Sequence, residues 1–352
     1  MTARTSREQD GKALVTVLVP VRNEERSISA CLTAILAQDY PALQVVVVDG
    51  ESTDATPEIV TRFGQRDARV EMLSVPPGSI PASLNAGLVA ARGTWLVRVD
   101  GHSTIPPEYV RLAVDRLREG RWGGVGGRKD GYGDTAAGRA IAAALGSRFG
   151  VGNSLYHHGT RAAEVDHVPF GAYPVALARR LGGWDERLVA NEDYEFDYRV
   201  RQAGHALLFD PELAIRWESR QTLRDLLRQY YRYGRGKADV AVLHPASLKP
   251  RHLAPPAFVA YAASAAAMSV ARPKVAAGML APYVGGLLVA SAAATRRLDR
   301  RRDAALVPGA FVCMHLGWGA GFLVRAPRAI GLRRVARVAG PSGGQPREAS
   351  AA

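Results

Sequence analysis

The chain has 352 residues, 47% of them hydrophobic, with 46 Lys and Arg against 33 Asp and Glu and a formal net charge of +13. From Lys249 onward there are 15 basic and 3 acidic residues, which leaves 31 and 30 in the first 248. A near-neutral first part followed by a basic, apolar remainder argues against nucleic acid and for a membrane facing the cytoplasm. Cys31 and Cys313 are too far apart and too unlike in context for a disulfide framework or a Cys-rich metal site. The N-terminus is polar through Lys12, with no apolar signal core, so the near-neutral first part is expected in the cytoplasm.

Residues 1–12 read as a loose tail. Ala13–Val21 is predicted as a strand running into Arg22-Asn23-Glu24-Glu25, and Ser27–Gln38 as a helix that stops before Pro41. Val45–Asp49 is short, β-branched and continuously apolar, the pattern of a strand buried in a parallel sheet. Ser52-Thr53-Asp54 offers a helix cap, and Pro57 suits a first turn. A strand at Arg69–Val75, a helix at Pro81–Arg92, a strand at Thr94–Val99 and a helix at Pro107–Glu119 continue the alternation. This is the βαβ pattern of a mostly parallel, doubly wound sheet. Ligands of such sheets bind beyond the carboxyl ends of the strands, where Asp49, Asp54, Asp100 and His102 all fall.

From Gly123 the chain reads as Gly-rich and less regular. Gly124-Val125-Gly126-Gly127 has Lys129 where a dinucleotide fingerprint needs its third glycine, so NAD is not expected. Residues 150–168 read as a mobile loop and Phe170–Asp185 as turn-rich. A helix opens at Asn191-Glu192-Asp193 and ends near Gly204. Strands follow at Leu207–Asp210 and Ala214–Glu218, then a helix at Thr222–Arg232. Ala254–Ala271, Val275–Thr295 and Ala304–Val324 contain no Asp, Glu, Lys or Arg and are long enough to cross a bilayer, the alternative being core helices. Arg296–Arg302 and the tail after Arg325 both favour the cytoplasm although one span separates them. The third segment is therefore re-entrant, or the tail crosses despite its charge. The chain thus divides into a tail (1–12), a catalytic domain (13–248), membrane helices (249–330) and a basic, disordered tail (331–352).

Six motifs in order resemble the family 2 glycosyltransferases, inverting enzymes with the GT-A fold, over roughly residues 14–240. They are Val19-Pro20-Val21-Arg22-Asn23-Glu24, Val48-Asp49-Gly50-Glu51-Ser52-Thr53-Asp54, Ser83-Leu84-Asn85-Ala86-Gly87, Arg98-Val99-Asp100-Gly101-His102, Gly182-Gly183-Trp184-Asp185-Glu186 and Asn191-Glu192-Asp193. The Asp-Gly-His form and the apolar tail are most similar to the succinoglycan-type, membrane-associated glucosyltransferases of bacterial exopolysaccharide assembly.

The resemblance implies an α/β GT-A (nucleotide-diphospho-sugar transferase, Rossmann-like) domain with a C-terminal helical transmembrane region. It implies a UDP-sugar site that includes Pro20, Arg22, Glu24, Asp49, Ser52 and Asp54, continued by Asn85, Arg98, Asp100 and Arg232. Asp49 accepts from the uracil N–H or the ribose, although Ser52 and Asp54 also suit a plain helix cap. Asp100 and His102 match the metal motif, with His102 departing from its second Asp; an imidazole suits Mn²⁺ better than Mg²⁺. Asp193 takes the general-base position, with Glu192 beside it, where an acid at a helix start is also favoured by the dipole alone. Gln229-Tyr230-Tyr231-Arg232-Tyr233 is only loosely similar to the Gln-x-x-Arg-Trp motif of processive synthases, which favours addition of a single sugar.

The implied partners are a UDP-sugar, a polyprenyl-diphosphate-linked saccharide acceptor, the membrane and other polysaccharide-assembly proteins, with no nucleic acid. The implied location is the cytoplasmic (inner) membrane, multi-pass, with the catalytic domain in the cytoplasm. A polyprenyl-phosphate sugar synthase, a non-catalytic sugar-nucleotide-binding subunit and a transporter are the other readings open to this sequence.

Overall fold

The computed structural model describes residues 13–298 and 300–338, with side chains described to Ala329. The tails expected at 1–12 and beyond 338 lie outside the described residues. Four strands, β1 (Val15–Val21), β2 (Leu43–Asp49), β3 (Val70–Ser74) and β4 (Trp95–Arg98), pair in parallel in the order β3-β2-β1-β4. The helices α1 (Ile28–Leu36), α2 (Thr56–Arg66) and α3 (Ile80–Ala90) make the crossovers. Every residue of β2 is buried, as its Val run predicts, because helices cover both faces of the sheet.

Beyond β4 the sheet becomes mixed. It passes through β5 (Ser103–Thr104), α4 (Tyr109–Arg118), β6 (Trp122–Tyr132), α5 (Ala136–Leu145), the short α6 (Arg148–Val151), β7 (Ala163–Val165), β8 (Ala172–Pro174), α7 (Val175–Arg180), α8 (Glu192–Gln202) and β9 (Ala206–Glu218). Strand β8 runs antiparallel to β4 and β6, and β9 runs parallel to β6.

The Gly-rich stretch is a regular strand, contrary to the sequence reading. Its glycines permit close packing: a Cβ on Gly127 would stand 2.0 Å from the Leu213 carbonyl oxygen, and one on Gly124 would meet the Tyr173 ring at 2.6 Å. The two strands expected around Pro211 are one strand, β9, whose register with β6 shifts there. Residues 150–168 are not a plain loop but hold α6, a 3₁₀ turn at Leu155–His157 and β7.

The helix expected at Thr222–Arg232 is longer. It is α9 (Leu223–Leu243), and it is followed by α10 (Pro250–Ser269), α11 (Pro273–Thr295) and α12 (Val307–Val338). Helix α12 extends past the point where a disordered tail was expected. It lies along α9 at backbone distance: a Cβ on Gly234 would stand 1.9 Å from the Trp318 oxygen, and one on Gly321 would stand 2.1 Å from the Tyr231 oxygen. Arg325 Nε also donates to Asp239 Oδ1 at 2.6 Å. The boundary expected at 248 is therefore bridged by a tight helix pair.

Among the described residues two helical stretches rather than three are long and apolar enough to cross a membrane. In the apolar 18-residue window of Pro273–Thr295 11% is buried within the protein, against 44% in that of Arg301–Ala329, the difference that α9 makes. Helix α10 is not among them; Arg251, His252, Pro255, Pro256 and Tyr261 lower its mean hydropathy. Leu288, Val289, Val275 and Met268 stand exposed on α10 and α11, an apolar surface with no protein against it among the described residues.

Gly321→Leu is expected to pry α12 from α9 and cost about 1–3 kcal/mol, the usual penalty of overpacking. Gly278→Leu adds the same side chain where nothing lies within 4 Å. Thermal unfolding of the two variants in detergent should separate them, with only the first shifted.

Candidate active site

Asp49 closes β2 opposite Val21, and Leu18 pairs with Arg98, so Asp49 and Asp100 top strands on either side of β1. Two strand spacings put their backbones about 10 Å apart on one sheet edge. Asp49 is buried and accepts from the Ser52 amide at 3.1 Å and the Ser52 hydroxyl at 2.5 Å. Ser52 Oγ in turn accepts from the Asn23 amide at 2.8 Å, and Asn23 Oδ1 accepts from the Thr53 amide at 2.8 Å. Asn23 and Glu51 both have left-handed backbone, with φ of 57° and 55°, a conformation costly for non-glycine residues and held here by these bonds. Asp54 accepts from the amides of Glu25 and Thr56. Asp49, Ser52 and Asp54 thus tie the β1–α1 loop to the β2–α2 loop. Arg22 is exposed above Gly50, and Pro20 is half-buried in β1.

At the end of β4 a single buried guanidinium joins two acids. Arg98 Nε donates to Asp100 Oδ1 at 2.9 Å, and its NH1 donates to Glu192 Oε1 at 3.2 Å. Arg98 is 5% exposed, so its fork is occupied by protein carboxylates. His102 Nδ1 lies 2.9 Å from Glu24 Oε1. Among the described residues no three His, Cys, Asp or Glu side chains form a metal cluster. Asp100 and His102 nevertheless suit a divalent cation that takes its remaining ligands from a diphosphate. The Glu24 bond orients the imidazole and leaves Nε2 as donor, and Asp100 Oδ2 is only 3.5 Å from Arg98.

Asn191, with left-handed φ of 63°, turns the chain into α8 and places Asp193 on its first turn. Asp193 Oδ1 accepts from the Tyr194 amide at 2.7 Å, while Oδ2 lies 3.7 Å from His167 Nε2. The other nitrogen of His167 is 2.7 Å from Asp197 Oδ2, one helical turn beyond Asp193. Asp197 also accepts from the Val168 amide and the Tyr173 hydroxyl, both at 2.8 Å.

Burial raises the Asp193 carboxyl, but His167, Arg98, the Tyr194 amide and Lys129 outweigh it and hold it below the usual carboxylate range. Burial, and then the charge on Asp193, push Glu192 up. Two adjacent carboxyls are thus driven apart, Asp193 downward and Glu192 upward.

Asp100, His102, Arg98, Glu192, Asp193 and Arg232 line one cleft of about 990 Å³. Asp49 stands on the same sheet edge but outside that lining. Asn85 faces elsewhere: its amide donates to the Trp184 oxygen and Glu186 Oε1 and accepts from the Trp184 amide, so it pins the Gly-Gly-Trp-Asp turn.

Three residues of the site were not read from the sequence. Lys129 projects into the cleft with Nζ 3.6 Å from the centre of the Trp217 ring, and burial lowers it to about 8. His167 and Asp197 complete the file behind Asp193. Only Asp197 carried a signal, as an acid at i+4 from Asp193 on an otherwise packed helix face.

The Glycosyl transferase family 2 model matches residues 16–180. The succinoglycan biosynthesis protein ExoA of Rhizobium meliloti (strain 1021) is 31% identical over 315 residues, covering 87% of this chain and 93% of that protein. The chain is a family 2 glycosyltransferase. Its fold is GT-A: a mannosyltransferase from Pyrobaculum calidifontis, PcManGT, solved with GDP-Man and Mn²⁺, superposes with a TM-score of 0.60 at 22% identity, covering 86% of each chain. S. aureus TarS 1–349 with UDP-GlcNAc gives 0.51 at 18% identity, covering 92% of each.

In this glycosyltransferase His167 makes stability depend on pH. Burial lowers its pKa, but Asp193 and Asp197 outweigh burial and raise it above the ordinary 6.5. A histidine raised on folding contributes stability that is complete below its unfolded pKa and lost as pH rises through the folded one. The enzyme should therefore lose stability as pH climbs above 6.5. His167→Gln should flatten that part of the profile, as measured by thermal unfolding from pH 6 to 9.

Proposed function

We propose that this glycosyltransferase moves a sugar with inversion from a UDP-sugar, foremost UDP-glucose, to a hydroxyl of a polyprenyl-diphosphate-linked saccharide. The setting is exopolysaccharide assembly at the inner face of the cytoplasmic membrane. The observation that carries the reading is Asp193: an ionised carboxylate on the cleft wall, backed by His167 and Asp197, with Arg98 and Lys129 on the donor side.

Inverting transfer needs one base to take the proton of the attacking hydroxyl, and Asp193 is placed to do so. The His167 imidazolium and Asp197 hold that carboxylate in orientation. Glu192, fastened by Arg98, keeps Asp100 and the start of α8 in register. Asp49 and Ser52 shape the nucleoside end, with Pro20, Arg22, Glu24 and Asp54 forming its loops. Lys129 and Arg232 offer positive charge to the diphosphate as the glycosidic bond to it breaks. A divalent cation held by Asp100 and His102 would supply further charge neutralisation to that diphosphate when bound.

Resemblance to ExoA over nearly its full length supports the pathway class, and the apolar faces of α10 and α11 support the membrane. The purified full-length protein, given UDP-glucose, other UDP-sugars and GDP-mannose with Mn²⁺ and bacterial lipid extract, tests the reading. Transfer from UDP-glucose into a lipid product from which mild acid releases an oligosaccharide, with the new glycosidic bond intact, is the expected result. Preference for GDP-mannose would overturn the donor, and release of the transferred sugar as a free monosaccharide would overturn the acceptor.

A further inference from the structure

The cleft does not end at the catalytic carboxylates. It continues past Asp193 to Lys237, Arg251, Phe258, Tyr283 and Trp318, residues of α9, α10, α11 and α12. Its far end is therefore part cationic and part aromatic, and it is walled by the helices that carry the exposed apolar surface.

Lys237 is the informative residue. Gly236 brings α9 against the Ala190 carbonyl, where a Cβ would stand at 2.4 Å, and this close approach sets Lys237 beside the start of α8. The side chain is 2% exposed, with Nζ 3.0 Å from the centre of the Tyr194 ring. Among the described residues it has no carboxylate within 4 Å and no hydrogen-bond partner. Burial, with Arg251 adding to it, lowers its pKa to about 6, so the charged form awaits an anion. The neighbouring carboxylate, Asp166, is already taken by Lys249, by Arg251 at 3.2 Å and by Arg201 at 3.9 Å. Three cations around one acid, with Lys237 nearby, leave an excess of positive charge. On the wall of the same cleft, Phe258 and Tyr283 stack at 4.1 Å between ring centres.

From this juxtaposition we infer an acceptor subsite: Lys237, with Arg251, holds the phosphate of an isoprenoid diphosphate whose hydrocarbon runs along the stacked Phe258–Tyr283 pair and Trp318 toward the membrane face. The inference rests on the proposed transfer to a lipid-linked acceptor and locates its head group. A free diphosphate would use the cations and leave the aromatic wall bare; a neutral saccharide would leave Lys237 unpaired. In the proposed function the donor diphosphate has its own cations, Arg232 and Lys129, the latter against the Trp217 ring. An acceptor anchored at Lys237 thus delivers its hydroxyl to the base from the membrane side.

Farnesyl diphosphate serves as the probe, against farnesol, inorganic pyrophosphate and UDP, on the full-length protein in detergent, with fluorescence of Trp318 and its neighbours as the readout. Farnesyl diphosphate should bind more tightly than either farnesol or pyrophosphate. Lys237→Met should weaken it roughly 10- to 100-fold, the loss of one charge-assisted contact. Lys237→Arg should restore part of the affinity, and UDP binding should be equal in all three proteins, which also reports that the fold is intact. Equal farnesyl diphosphate affinity in wild type and Lys237→Met overturns the subsite, as does binding of pyrophosphate as tight as that of the lipid. Parallel loss of UDP and lipid binding would place Lys237 in the donor site and overturn it too. Failure of every sugar nucleotide to react would sink the transfer reading while this binding comparison still stood or fell on its own.

Discussion

Asp193→Asn should abolish the enzyme's chemistry while sparing its donor. Loss of a positioned general base typically costs about 10²- to 10⁴-fold in rate. The amide oxygen can still accept from the Tyr194 amide, so the first turn of α8 keeps its bond and the helix its place. UDP binding, which the proposed function assigns to the loops around Asp49 and to the Asp100 end of the cleft, should be retained. Turnover with UDP-glucose and calorimetry with UDP on the same preparation measure the two separately. A variant that still transfers sugar at the wild-type rate would remove Asp193 from the mechanism. Loss of both activities together would make it a binding residue instead.

Arg98→Met should have the largest effect on stability. The guanidinium is buried between Asp100 and Glu192, whose side chains are 16% and 8% exposed, and removing it leaves both acids without their partner. Breaking a buried pair in this way costs about 3–5 kcal/mol, far more than the net worth of the pair itself. The second variant needed is Arg98→Met with Glu192→Gln, which removes one of the stranded charges and should recover part of the loss. Arg98→Lys should not rescue, because one ammonium cannot span both carboxylates as the planar fork does. Thermal unfolding of these proteins, with Glu192→Gln alone to complete the cycle, decides it; additive losses in the double variant would show that the two residues are not coupled.

The legible part of the site was the part written in contiguous residues. Asp49 at the end of a Val run, Asp100 after Leu96-Val97 and Asp193 at a helix start each follow from strand or helix chemistry within a few positions. The half of the sheet beyond β4 was less legible because its order depends on close approach. Gly124 and Gly127 read as loop residues by propensity, yet they are strand residues because Tyr173 and Leu213 stand where a side chain would be. Asn85 looked like a ligand contact, and its amide is wholly engaged with the Trp184 turn.

The same distinction separates what this sequence decided unaided from what needed the assembled chain. Periodicity and motif order were sufficient for the α/β GT-A domain, for the acids at its strand ends and for an apolar, basic C-terminal part, since each is a property of neighbours along the chain. Pairings across long separations were beyond it. The Arg98 bridge to Glu192, the His167 file behind Asp193, the glycine contact of α12 on α9 and the packing of Lys237 on Tyr194 join residues tens of positions apart. Such contacts are set by packing and desolvation, which exist only once the backbone has closed around them.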